Sequence, residues 1–161
     1  MIGSLVLYKN DHSFLSEAIC LITRSQYNHV AIVVGYDEET HVATIIEANG
    51  GIKTRTSTIV IDDSHIIYTP KNMTKEMSDK VVQYAFSKIG TEYDYFQILG
   101  IFISYIFKEP RFALFNSTNK FICSELVDRA YQFANVPRKN KDNLGDISPQ
   151  ELFEEYDLVR D

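Results

Sequence analysis

Tryptophan is absent from the chain and cysteine occurs only twice. Two thiols allow at most one bridge, and nothing around them has the spacing of a disulfide-stapled secreted domain, so the fold has to rest on an apolar core. Basic clusters are missing too: the densest candidate, "RKNKD" at 138 to 142, ends in an acid, and the net charge is −6. Nucleic acid is therefore disfavoured as a partner, because a phosphate backbone is held by a concentrated positive face. No long hydrophobic run is present. The uncharged stretch from 95 to 107 covers about 13 residues, whereas a bilayer span needs roughly 20. The start "MIGSLVLYKND" has neither the charged lead nor the extended apolar stretch of a signal peptide, which sets the expectation of a cytoplasmic protein. Abundant Lys, Asn and Ile fit a bacterial, phage or viral source.

What is present is enough apolar material for one core: 161 residues, 45% of them apolar and 12% aromatic, which suits a single domain over 1–161. Short β-branched runs dominate the first half. "SLVLYK" (4 to 9) reads as a strand, and "HVAIVVGY" (29 to 36) and "HVATIIEA" (41 to 48) read as a hairpin around an acidic turn. "IKTRTSTIVI" (52 to 61) and "HIIYT" (65 to 69) continue the sheet. Helical periodicity appears in "HSFLSEAICLITR" (12 to 24), where Cys20 reads as packing, and in "MTKEMSDKVVQYAFSKIG" (73 to 90), with Gly90 as its stop. "YDYFQILGIFISYIF" (93 to 107) reads as a buried helix, with a lid or membrane-touching patch as the competing reading. Residues 108 to 120 read as a loop. "ISPQELFEEY" (147 to 156) carries a Ser148 cap followed by Pro149 at the first helical position.

Chemistry concentrates at "FICSELVDRAYQFA" (121 to 134). Leu126, Val127, Ala130 and Tyr131 fall on one helical face, which puts Cys123 in the first turn. There the unpaired backbone N–H groups and the positive end of the helix dipole stabilise a thiolate, below the free-cysteine value of about 8.5. A cysteine between Ile122 and Ser124 is equally well read as core filler. Of the four histidines, His12, His41 and His65 sit in turns or at a strand start, while His29 opens the apolar strand "HVAIVVG". It is either an exposed strand end or a base pointing into a cleft. Pairing the two strands around "YDEET" sets His29 opposite Glu47, close enough for the carboxylate to hold the ring.

The segments "GSLVL", "ITRSQYNHVAIVVG", "IIEANGGI", "IGTEYDYFQI" and "FICSELVDRAY" together resemble the circularly permuted papain-like cysteine hydrolases. That superfamily contains NlpC-type peptidases and lecithin:retinol acyltransferase, and the YiiX-like branch is the nearest in pattern. The resemblance implies an α+β fold, an antiparallel sheet or small barrel packed against helices, with the nucleophile at a helix N-terminus. It also implies Cys123 as nucleophile, His29 as base and Glu47 as the residue orienting it, the histidine preceding the cysteine as permutation requires. One departure is plain: the first motif usually reads Gly-Asp, and here it is Gly3-Ser4.

The expected activity is a thiol-dependent hydrolase or acyl transferase that cleaves an amide in a peptide or peptidoglycan-like substrate and needs no cofactor or metal. An acyl-lipid substrate is the alternative, favoured by the apolar stretch 95 to 107, which would also be the point of any membrane contact. A non-catalytic module binding a ligand or host protein in the same cleft is the reading from another class. Tyr8, Tyr27, Tyr93 and Tyr95 are candidates for substrate binding or for a second oxyanion donor.

Overall fold

The computed structural model describes residues 1–10, 12, 16–17, 20, 25–48, 53–91, 123–140 and 147–161. The expected helix over 93 to 107 and the loop over 108 to 120 lie outside these residues, as does most of the expected helix over 12 to 24. Among the described residues six strands are present: β1 (Leu5–Lys9), β2 (Tyr27–Asp37), β3 (Val42–Ala48), β4 (Thr54–Val60), β5 (His65–Pro70) and β6 (Leu158–Arg160). Three helices accompany them among the described residues: α1 (Lys75–Ser87), α2 (Cys123–Phe133) and α3 (Pro149–Glu155).

The strands form one antiparallel sheet in the order β4-β3-β2-β1-β5-β6. Of the two shapes expected, sheet or small barrel, the described strands form an open sheet, with β4 and β6 at opposite ends. The period of two along a strand sorts the side chains onto two faces. Leu5, Leu7, Val30, Ile32, Ile46, Ala48 and Ile66 join one buried cluster with Val81 and Ala85 of α1 and with Leu126, Val127, Ala130 and Tyr131 of α2. Val6, Ala31, Val33, Ala43, Ile45 and Ile67 form a second cluster, against which Tyr8, Tyr36, Ile59 and Ile61 pack. Each fully buried Leu or Ile stabilises by roughly 1.5–3 kcal/mol relative to exposure, so the sheet is held from both sides.

Helix ends follow their sequence signals. Thr74 Oγ1 accepts from the Met77 N–H at the start of α1, and the chain leaves that helix through Lys88 into Gly90 at φ +88°. Ser148 and Glu151 close a reciprocal capping box on α3, with Pro149 at its first turn. Gly3 also sits at a positive φ, +82°, and a Cβ there would come within 2.9 Å of Ser78 Oγ. Ser4, at the place of the acid in the Gly-Asp motif, joins a hydroxyl network. Thr69 Oγ1 donates to Asp161 at 2.7 Å and pairs with Ser4 Oγ at 2.6 Å, so Ser4 is the donor to Thr69 and a carboxylate enters this network from the far end of the chain.

A buried polar network fixes α2 against α3. Asp128, 1% exposed, accepts from the Tyr156 hydroxyl and from Gln132 Nε2, both at 2.7 Å, and Arg138 Nε lies 3.2 Å away with its side chain also buried. Removing one partner of a buried ion pair strands the other charge. Arg138→Met is expected to cost about 3 kcal/mol, because Asp128 keeps its two neutral donors. Urea unfolding of the variant against the parent chain measures this, and a loss under about 1 kcal/mol would show that the pair contributes little.

Candidate active site

Cys123 is the first residue of α2 and is 8% exposed. The Ser124 hydroxyl donates to the Ile147 carbonyl just ahead of the α3 cap, which ties the first turn of α2 to the start of α3. Burial pushes the Cys123 thiol up, but the His29 imidazole and the N–H groups of Val30 and Ser124 outweigh it and hold the thiol below its ordinary value.

His29 reaches this position through an irregularity in β2. Tyr8 pairs with His29, but the next pair is Lys9 with Tyr27, so β2 carries one extra residue, Asn28, beside the histidine. Such a bulge bends the strand and re-aims its side chains. The imidazole Nε2 lies 3.0 Å from Glu47 Oε2, which leaves Nδ1 as the nitrogen available to Cys123. Burial alone would lower the imidazole pKa. Attraction and hydrogen bonding from Cys123, joined by Glu47, reverse the sign and raise it to about 9.

The expected cross-strand position of Glu47 needs correcting. Ile32 faces Ile46 and Val33 faces Ile45; continuing this register sets Ala31 across from Glu47 and leaves His29 on the diagonal. The displacement is two residues, and since side chains alternate with period two, Glu47 stays on the face of His29. A diagonal neighbour is still within reach of a long side chain. Glu47 is 3% exposed, and its other oxygen accepts from Ser57 Oγ at 2.7 Å and Arg55 Nε at 3.2 Å, with Arg55 Nη2 also at 3.2 Å. Arg55 and Ser57 were not anticipated from the sequence. Their signal was the single charge in the hydroxyl-rich "TRTST", which β4 places directly across from Glu47.

The other histidines lie elsewhere. His12 is exposed, with a positive φ and Glu17 at 3.7 Å. His41 is in the β2–β3 turn against the Tyr36 hydroxyl, and His65 holds Asp62 at 2.8 Å. Tyr8 stands edge-on to both His29 and His65, with ring centroids 4.9 and 4.7 Å apart. Burial, with Glu47 next, pushes its hydroxyl pKa far up, so it stays protonated and acts as a neutral hydroxyl. Tyr27 packs in the core against Phe153, on the helix side of the sheet, to which the bulge at Asn28 turns it. Tyr93 and Tyr95 lie outside the described residues. Among the described residues no group of three or more His, Cys, Asp or Glu is placed to hold a metal ion.

The arrangement supplies a poised thiol, a base between two acidic partners, and backbone donors at a helix start, the requirements for nucleophilic attack on a carbonyl. A search of curated proteins gave no match. The chain is similar in structure to the metalloprotein yiiX from Escherichia coli O157:H7, with a TM-score of 0.66 and 18% identity over 98% of this chain and 94% of that one. That likeness shows the fold. Residues 2–152 match the family of permuted papain-like amidase enzymes, YaeF/YiiX, C92. The chain belongs to this family and is an enzyme of the papain-like cysteine amidase type.

Proposed function

We propose that the protein cleaves an amide bond in a peptide or peptidoglycan-like substrate by thiol catalysis on Cys123, His29 and Glu47. The observation that carries this reading is the imidazole of His29 held between the Glu47 carboxylate and the Cys123 thiol. His29 Nδ1 takes the thiol proton and the sulfur attacks the carbonyl carbon. The oxyanion is received by the Cys123 N–H, which as a first-turn donor has no acceptor within its own helix. The imidazolium then protonates the leaving amine as the C–N bond breaks, and water, deprotonated by the same ring, releases the acyl group.

The acyl-lipid alternative rests on residues 95 to 107, outside the described structure, so the amide reading has the stronger support. Membership in an amidase family sets the non-catalytic module aside. The similar structure is that of a metalloprotein, but the residues described here do not fit a metal centre. Glu47 and Cys123 meet opposite nitrogens of one ring, which points them away from any shared ion.

The working form is the imidazolium–thiolate pair. It exists above the lowered pKa of Cys123 and below the value of about 9 for His29. In a Cys20→Ser background, alkylation of Cys123 by iodoacetamide is expected to persist well below pH 7. In His29→Ala it is expected to titrate near the free-thiol value of about 8.5. A parent chain that already titrates near about 8.5 would overturn the catalytic reading. Hydrolysis is expected to fall on the alkaline side as His29 loses the proton it gives to the leaving amine. Glu47→Gln, which removes the charge at 3.0 Å, is expected to bring that alkaline limb down by about one pH unit. An unmoved limb in the pH–rate profile of a short peptide amide would remove Glu47 from the mechanism.

A further inference from the structure

Glu47 is almost wholly buried and borders His29 with one oxygen, yet its other oxygen is turned away from the reacting groups toward the edge strand β4. An ionised carboxylate in that position is costly unless further donors compensate it. β4 supplies two: the Ser57 hydroxyl at 2.7 Å, and the Arg55 guanidinium, with Nε and Nη2 both 3.2 Å from the same oxygen. Register explains the arrangement. Arg55 is the direct cross-strand partner of Glu47, and Ser57, two residues on, shares its face. The result is a line of alternating charge running Arg55, Glu47, His29, Cys123 from the sheet edge to the helix start.

We propose that Arg55 is a positioning residue for the reaction: by fixing Glu47 in its ionised form and aiming it at His29, it holds the His29–Cys123 pair in the charged, reactive state. The proposal rests on the thiol mechanism above. Arg55 touches none of the reacting atoms, and its side chain is 61% exposed, so screening blunts its direct field at the sulfur, two groups away. Its leverage is on the buried carboxylate it contacts.

The groups facing Glu47 include His29 from β2, Arg55 and Ser57 from β4, and Tyr8 from β1, which is a neutral phenol throughout the working range. Removing Arg55 leaves Glu47 with a hydroxyl and the imidazolium as its known compensation. Without the guanidinium fork the carboxylate is no longer held on Nε2, so the imidazolium loses part of its counter-charge and gives up its proton at lower pH. The alkaline limb of hydrolysis therefore moves down, in the direction expected for Glu47→Gln.

The test is the pH–rate profile for hydrolysis of a short peptide amide by the parent, Arg55→Gln and Arg55→Lys, with thermal melting of each. The Gln variant is expected to shift the alkaline limb downward by about half a pH unit with an unchanged melting profile, and Lys, which keeps the charge, to recover most of that shift. Ser57→Ala, losing a neutral donor to the same oxygen, is expected to move the limb in the same direction and by less. An alkaline limb that stays in place in Arg55→Gln, or moves equally in Gln and Lys, overturns the proposal. If Cys123 of the parent chain shows no alkylation by iodoacetamide below pH 7, the catalytic reading fails first, and the two failures are thereby separated.

Discussion

The placement of one largely enclosed ring, the His29 imidazole, governs how the rest of the molecule is arranged. Its two nitrogens point in opposite directions, so the carboxylate and the thiol must arrive on opposite edges from different parts of the chain. Glu47 comes from the neighbouring strand and is fixed by register, which is a local and stiff constraint. Cys123 comes from a helix far along the sequence, and its position depends on how α2 docks. That docking is held at two points: Ser124 on the carbonyl of Ile147 at the nucleophile end, and Asp128 with Tyr156 and Arg138 one turn and more further along. Both anchors lead to α3 or its flanks. The C-terminal helix, which carries none of the proposed chemistry, thus sets the position of the sulfur.

The sheet contributes a second kind of order. Across one end of a single face run Arg55, Glu47, His29, Tyr8 and His65, one from each of β4, β3, β2, β1 and β5. Along the strands from this polar row lies the apolar cluster of Val6, Ala31, Val33, Ala43, Ile45 and Ile67, all buried. Apolar packing on one side lowers the local dielectric, which strengthens the attraction between the charges and raises the cost of leaving any of them unpaired. Tyr8, edge-on between two imidazoles, limits how far the His29 ring can swing without adding a charge of its own.

Much of this was legible in the sequence, and the parts that were not share a cause. Strands β1 to β5 and helices α1, α2 and α3 follow from local period and caps, because those signals lie within a few residues of one another. Glu47 was found through a register that was wrong by two residues, and the partnership survived because an even error preserves the face. An error of one would have turned Glu47 to the opposite cluster. The bulge at Asn28 could not be read, since an extra residue in one strand shows only against the partner strand. The three-residue β6 has no periodicity to detect; it exists because β5 offers it an edge. Arg55 and Ser57 became visible only when β4 was laid against β3.

The charge pattern explains why so polar a site sits in so apolar a chain. A buried thiolate alone is opposed by desolvation, and so is a buried imidazolium or carboxylate alone. Placed in sequence with alternating sign, each offsets the penalty of the next, and the sign is set by whichever neighbour is closest. This is why the pKa of His29 is raised although its burial acts to lower it, and why that of Cys123 is lowered although its burial acts to raise it. The line must end somewhere that needs no further compensation. At one end the thiolate meets backbone N–H groups of β2 and α2, partial charges that cannot titrate. At the other, Arg55 reaches solvent, where a guanidinium is hydrated at little cost. A chain of charges closed in this way can be buried in its middle and remain ionised, which is the electrostatic condition for a nucleophile that must be charged before the substrate arrives.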